Sequence, residues 1–394
     1  MTAVAIALLF QVGICYGQSL DLAVRGYGLS IGDAPRTNGL RINFVDVRLK
    51  HVNGVNLSVW RTQPFVFETA TVNGLNLGVV GPRAAYINGV GIGVLEVVAR
   101  YRFAGLAIGG IAAFGGEDIS GVALGGVAAG SGGVTRGLVI GGLAAGSGQG
   151  LRGVSAGLLA AGTGGDIVGI TVGGLASGAG ESVTGMSIGG LASGSGGSVD
   201  GLIFGGIAAG AGGALTGIGL SGAVVGSGGD ALGLFVGGLA VGAGGSLSGI
   251  SASLGIVGAG GGQYGIATAG LAVAAGKSAT GIFTGGLAVG IGENMKGIGL
   301  SPGVVAIGGR LTGFGFGGVA AMAKEVHGVS IGGFVNGAHT NGGSFHVFTE
   351  TTRGAQIGLF NFTRDLKGIQ LGLLNYVGNN PRWARLLPIF NARF

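Results

Sequence analysis

A glycine preceded by a small or polar residue and followed by an apolar/any/apolar triplet returns through the middle of this chain at Gly105, Gly121, Gly137, Gly153, Gly169, Gly185, Gly201, Gly217, Gly233, Gly249, Gly265, Gly281, Gly297 and Gly313. Every step between these anchors is 16 residues. The same anchor reaches back to Asn38-Gly39, Asn53-Gly54, Asn73-Gly74 and Asn88-Gly89, and forward to Gly328, Gly354 and Gly368. A period this strict means one supersecondary unit stacked on copies of itself. A typical unit runs from Val183 through the anchor Gly185 to Ser198, with apolar residues at its first, fourth, sixth and ninth positions (Val183, Met186, Ile188, Leu191).

Glycine at several fixed places excludes a helical repeat, since each costs roughly 1 kcal/mol in a helix interior and helical repeats are longer than sixteen residues. Alternating apolar residues at positions four and six, rich in Val, Ile, Leu and Phe, read as strand. The charges Arg136, Arg152, Asp166, Glu181, Asp200, Asp230, Lys296 and Arg310 fall between the strand cores, where turns belong. The expected class is all-β.

Two architectures meet that pattern. In a parallel β-solenoid each unit is one coil, about 53 Å around at 3.3 Å per residue, and like positions stack about 4.8 Å apart. Glycines take the corners, and the apolar positions one, four, six and nine form inward ladders. In the alternative, an outer-membrane antiparallel β-barrel, each unit is one strand and one turn. The alternation of Leu386, Pro388, Phe390, Ala392 and the final Phe394 resembles the closing strand of such barrels. Against it, the positions facing the supposed wet lumen carry Val139, Ile203, Phe235 and Phe283, where polar residues are needed. The solenoid is the preferred reading.

Composition excludes further classes. Of 394 residues 98 are Gly, the hydrophobic fraction is 47%, and mean hydropathy is +0.67; this is neither an ordinary enzyme composition nor a polar disordered one. Six Pro without a three-residue Gly period exclude collagen. The net charge of +6 belongs to the flanks: residues 104–323 hold five basic and seven acidic residues. Scattered single Arg and Lys residues do not make a nucleic-acid groove.

Residues 1–17 read as a signal peptide, an apolar run from Ala3 to Val12 followed by small residues. No Lys or Arg precedes the run, which leaves the true start open upstream. Cys15 would leave with it, so the mature chain has no thiol, and Ile14 rather than a small residue before Cys15 speaks against lipidation. Three segments follow: irregular repeats and a cap over 18–103, with Trp60; regular repeats over 104–328; and irregular repeats and a cap over 329–394, centred on Phe345 to Phe394 with Trp383 and the run Leu386 to Phe390.

The repeat core, the units Val52 to Val59 and Val72 to Val79, and the C-terminal sequences Gly354-Ala355-Gln356-Ile357-Gly358-Leu359-Phe360-Asn361, Gly368-Ile369-Gln370-Leu371-Gly372-Leu373-Leu374-Asn375, Asn379-Asn380-Pro381 and Leu387-Pro388-Ile389-Phe390-Asn391 together resemble a bacterial family of Gly-rich surface repeat-containing proteins. The resemblance implies export to the cell surface or outer membrane of a two-membrane bacterium, and it brings no catalytic residue. The chain departs from that family in carrying Ala and Ser where many members place Gln and Asn ladders.

The search for chemistry yields little. Gly276-Lys277-Ser278 misses a phosphate-loop spacing, with Leu271 where Gly or Ala is needed. His51, His327, His339 and His346 have no metal-ligand spacing, although His339 and His346 can approach each other near Glu350. Glu117-Asp118, the one adjacent carboxylate pair in residues 104–323, reads as a turn. A calcium-binding roll needs an Asp in every repeat. The fifth position of the unit (Ser155, Thr171, Ser187, Ile203, Phe235, Ser251, Phe283) is too mixed to match an ice or glycan lattice. The expectation is a non-enzymatic exported repeat protein, without cofactor or metal, that meets a surface partner, a polysaccharide or another copy of itself, or else associates with the outer membrane.

Overall fold

The computed structural model describes residues 19–24, 27–341, 344–346 and 348–394; the leader with Cys15 lies outside them. The chain is all-β, a parallel β-solenoid of about 20 coils spaced about 16 residues apart, and not a barrel. It divides into two compact units, residues 1–189 and 190–394. That boundary falls inside the regular run, not at its ends.

One coil of the first unit shows the construction. The strand Val134–Gly141 bends at its anchor Gly137, the corner Gly142-Leu143 follows, then the short strand Ala144–Ser147, then the corner Gly148-Gln149. The bend divides the long strand into two sides, and the short strand makes a third. Each strand pairs in parallel with its counterpart one coil away, Gly137 opposite Gly121 and Gly153, Ala145 opposite Ala129 and Ala161. The second unit repeats this scheme, with Ala231–Gly237 and Ala240–Ala243 as one of its coils.

The anchors are glycine because of this bend. All twenty-one have φ between +110° and +144°, a region closed to other L-residues. Stacking adds a second requirement: a Cβ built on Gly137 would overlap the carbonyl oxygen of Gly121.

The facing of the strands corrects the expected inward ladders. Position one is inside (Leu151, Ile167, Val183, Leu215), but positions four, six and nine are not. In their place the interior takes positions five, seven, eleven and thirteen: Val139, Gly141, Ala145 and Ser147 in one coil, Phe235, Gly237, Val241 and Ala243 in another. Ile140 and Leu143 point outward at 40% and 41% exposure. A sixteen-residue coil encloses too little space for four large side chains, so the interior is filled by Gly, Ala and Ser with one to three larger residues per coil. The mixed character of position five is therefore core packing. Phe235 fills space left by Gly219 in the preceding coil, where an added Cβ would meet Phe235 Cδ1 at 3.1 Å and Val225 Cγ1 at 2.8 Å.

The irregular flanks are coils as well, with insertions. The 20-residue step from Gly54 to Gly74 holds the short helix Pro64–Thr69. The 26-residue step from Gly328 to Gly354 holds the antiparallel pair Val335–Asn341 and Ser344–His346. Within the segments expected to cap the ends, Trp60, Trp383, Ile389 and Phe390 remain 55%, 80%, 75% and 48% exposed. Each end is covered within those segments by a strand of reversed direction, Ser19–Val24 on Tyr27–Gly32 and Leu386–Arg393, which contains the run Leu386 to Phe390, on Phe360–Val377. Reversal ends the stacking direction and so blocks continued growth.

The interior also turns polar toward these ends. Position five carries Arg41, Asn56 and Asn76 in the N-terminal coils, where Arg41 is fully buried and bonds Asp33 at 2.9 Å, Asn56 at 2.9 Å and also Asp46. It carries Gln356 and Gln370, joined at 2.7 Å, in the C-terminal coils. Asn361 donates to Asn375 at 2.8 Å beside them. Amide ladders are thus present at the two ends, and between them position five carries a mixture of small residues such as Ala123 and Ser187 and larger apolar ones such as Val139, Ile203, Phe235 and Phe283.

Candidate functional site

With the interior assigned, the outward surface is what each unit offers a partner, and its three sides differ in chemistry. With the anchor counted as position three, every charged residue between 104 and 323 falls at position fifteen, sixteen or two. All charge thus lies along the first side and its leading corner. Several of these groups have a structural task. The carboxylate of Asp118 accepts a hydrogen bond from the backbone N–H of Val134, sixteen residues on, at 2.9 Å. Asp166 accepts from Ser182 at 2.9 Å and Asp230 from Ser246 at 2.6 Å in the same way. Asn294 does so for Arg310 at 2.9 Å. These side chains staple one corner to the next, as an N-cap satisfies an orphan donor.

The second side presents positions four and six, including Ile170, Val172, Leu234 and Val236 at 37–39% exposure. The third presents position nine at its corner, then positions ten and twelve, which are Leu, Ala and Gly in the commonest unit. Neither side carries a charge between residues 104 and 323. Isolated exposed apolar residues are ordinary, whereas contiguous ladders of them mark contact surfaces.

The residues that the sequence singles out for chemistry are distributed as follows. The fourteen Gly anchors form the bend column. Gly276-Lys277-Ser278 is a corner between the strands Ala272–Ala275 and Ala279–Gly285, with no helix following. His339 and His346 are paired in backbone register on adjacent antiparallel strands. Among the described residues no group of three His, Cys, Asp or Glu is placed to hold a metal ion. His51 joins an outward amide ladder: its Nε2 lies 2.9 Å from Asn53, and Asn53, Asn73 and Asn88 each bond the Asn of the preceding coil at 2.7–2.9 Å. Arg100, 3.6 Å from Glu68, is held above its usual value chiefly by its hydrogen bond to Tyr101. The buried Arg41 cluster was not foreseen from sequence; its signal is a charge at position five of a coil, informative once position five is known to face inward.

Comparison with protein-family models, curated proteins and solved structures finds no match for this chain.

Proposed function

We propose that this chain is a non-enzymatic, exported surface or envelope repeat protein of a two-membrane bacterium, acting as a rigid scaffold that makes contacts through its uncharged sides. The observation that carries this reading is the segregation of charge. Over residues 104–323 all ionisable groups share one edge, and several of them bond the adjacent coil. The other two sides repeat exposed apolar side chains coil after coil. An isolated spacer gains nothing from such ladders, which reduce solubility, whereas a contact surface requires them. Export is supported by the apolar run Ala3 to Val12 and by the family resemblance of the C-terminal units. The parallel coils leave no place for the barrel reading.

The test is treatment of intact cells producing the full chain with a membrane-impermeant amine reagent, followed by detection with an antibody. Modification of Lys277 and Lys296 in unbroken cells is the predicted result. Protein found in the cytosol and modified only after lysis would refute the reading.

A further inference from the structure

On the third side of the unit 190–394, two columns lie next to each other. The first is a ridge: Ile207, Leu239 and Leu287 at position nine stand 56%, 64% and 63% exposed. Where position nine is Ala223 or Gly255, position ten supplies Val224 or Ile256 in compensation, at 43% and 49% exposure; at Gly303 it supplies Val304, which is half-buried, so the ridge dips at that coil. The second is a groove at position twelve, open at Gly226, Gly258 and Gly290 and interrupted in the same column by Ala274, Ala306 and Met322. None of these three glycines has a positive φ, and a Cβ built on any of them meets nothing within 4 Å. Neither the backbone nor a neighbour within the molecule asks for glycine there.

The first unit is different. A Cβ on Gly130 or Gly162 would overlap the carbonyl oxygen of the next coil, so those glycines are explained by stacking alone. Glycine in a strand costs stability and marks places where a ligand or another backbone comes close. In the second unit Gly210 is also tight, its Cβ falling 3.1 Å from the carbonyl oxygen of Gly226, but at Gly226, Gly258 and Gly290 the approaching body comes from outside.

What approaches is apolar and periodic. From Gly190 to Met322, positions eight, nine, ten and twelve carry no hydroxyl, amide or charge, so a polysaccharide or nucleic acid finds nothing to bond. An acyl chain would gain more contact from Val or Leu than from glycine, and a fluid layer does not need a groove. A second copy of this chain has a ridge with the same coil-to-coil rise as the groove. Because ridge and groove lie about 10 Å apart on one strand, a two-fold axis seats each ridge in the other copy's groove, a self-complementary arrangement. At positions nine and ten, eight Leu, Ile and Val side chains from Leu191 to Val319 are 43–64% exposed, and Leu254 at position eight is 80% exposed; the eight alone present on the order of 700 Å² of apolar surface, more than most monomers leave in one patch and near the ~800 Å² per partner of a standard interface.

We propose that the outward face of the short strands between Leu191 and Met322 is a homodimer seam in which the ridge of Ile207, Leu239 and Leu287 of each copy lies in the Gly226, Gly258 and Gly290 groove of the other. This rests on the reading of the chain as a contact scaffold, and it names the partner.

The test is sedimentation equilibrium of the mature chain without detergent. The wild type is expected to be a dimer at roughly 10 μM, and the triple variant Gly226→Leu/Gly258→Leu/Gly290→Leu a monomer, with the dissociation constant raised roughly 100-fold. Its circular dichroism should be unchanged, because a Cβ at each of these positions meets nothing within 4 Å and position twelve faces outward. Should that variant fail to fold, Leu239→Ser/Leu287→Ser removes the ridge without filling the groove and is expected to give the same loss. A monomeric wild type, or a dimer that survives both variants, would overturn the proposal. Binding of wild type and groove variant alike to phosphatidylethanolamine/phosphatidylglycerol vesicles, without dimerisation, would assign the face to lipid and also overturn it. A monomer still labelled on intact cells would refute the seam and leave the surface reading standing; a cytosolic dimer would do the reverse.

Discussion

Ser187 is sealed inside its coil, its hydroxyl 2.9 Å from that of Ser177, while the larger and more apolar Ile188 beside it turns outward. The same facing, position five in and position six out, holds along the body of both units. It changes which substitutions the fold tolerates.

Val139 is fully buried and Ile140 is 40% exposed. Val139→Asp should therefore unfold or fray the neighbouring coils, since an unpaired charge in an apolar interior costs several kcal/mol. Ile140→Asp should stay within about 1 kcal/mol of wild type. Thermal melts of the two variants check this, and equal losses would show that the two sides of the strand are equivalent.

Phe235 and Gly219 form a large/small pair across adjacent coils. Phe235→Ala should cost about 3–5 kcal/mol through the cavity it leaves. Gly219→Val should also destabilise, by overpacking against Phe235 and Val225. The double variant should lose less than the sum of the two, by about 1 kcal/mol or more, because the new Val occupies part of the space vacated by Phe235. Additive losses in a denaturant-unfolding cycle would show that the two positions do not share space.

Gln263 is 1% exposed, and neither its Oε1 nor its Nε2 finds a hydrogen-bond partner among the described residues. It stands at position one between Leu247 and Ala279. Gln263→Leu should stabilise the protein by about 1–3 kcal/mol, because it removes an unsatisfied buried amide and keeps its volume. A lower melting temperature for this variant would mean that the amide is engaged.

Arg41 holds Asp33 and Asp46 inside the N-terminal coils. Removing one member of a buried ion cluster leaves the others uncompensated, so Arg41→Met should cost about 3–5 kcal/mol. The loss should be local, read as faster amide exchange over residues 27–58 with little change beyond residue 104. Unchanged exchange at the N-terminal coils would contradict the role given to Arg41.

The period, the strand class and the bend column were legible because glycine at a positive φ leaves a fixed mark: Gly105 to Gly313 sit where the sixteen-residue rhythm puts them. The facing was not legible. A period of two defines two faces without saying which is inside, and the more apolar one, with Ile140 and Leu143, was assigned to the core. The geometry of a narrow coil decides otherwise, giving the interior to Gly141, Ala145 and Ser147. The form of the end strands was not legible for a related reason. Trp383 and Ile389 look like material for burial, yet the end is closed by strand reversal and by the amides of Gln356, Gln370, Asn361 and Asn375. The contact face was hidden because the position-twelve glycines of the two units look alike in sequence; only the built-on Cβ separates Gly162, which would overlap the carbonyl of Gly178, from Gly226, which has open space.

The most direct measurement uses the single natural cysteine of the chain. With Cys15 replaced by Ser, single cysteines are placed at adjacent inward and outward positions, Val139→Cys and Ile140→Cys in the first unit, Ile203→Cys and Phe204→Cys in the second, and reacted with a maleimide under native conditions. The account predicts rapid labelling at 140 and 204 and protection at 139 and 203 until the protein is unfolded. Labelling at 139 and 203 with protection at 140 and 204 would contradict it.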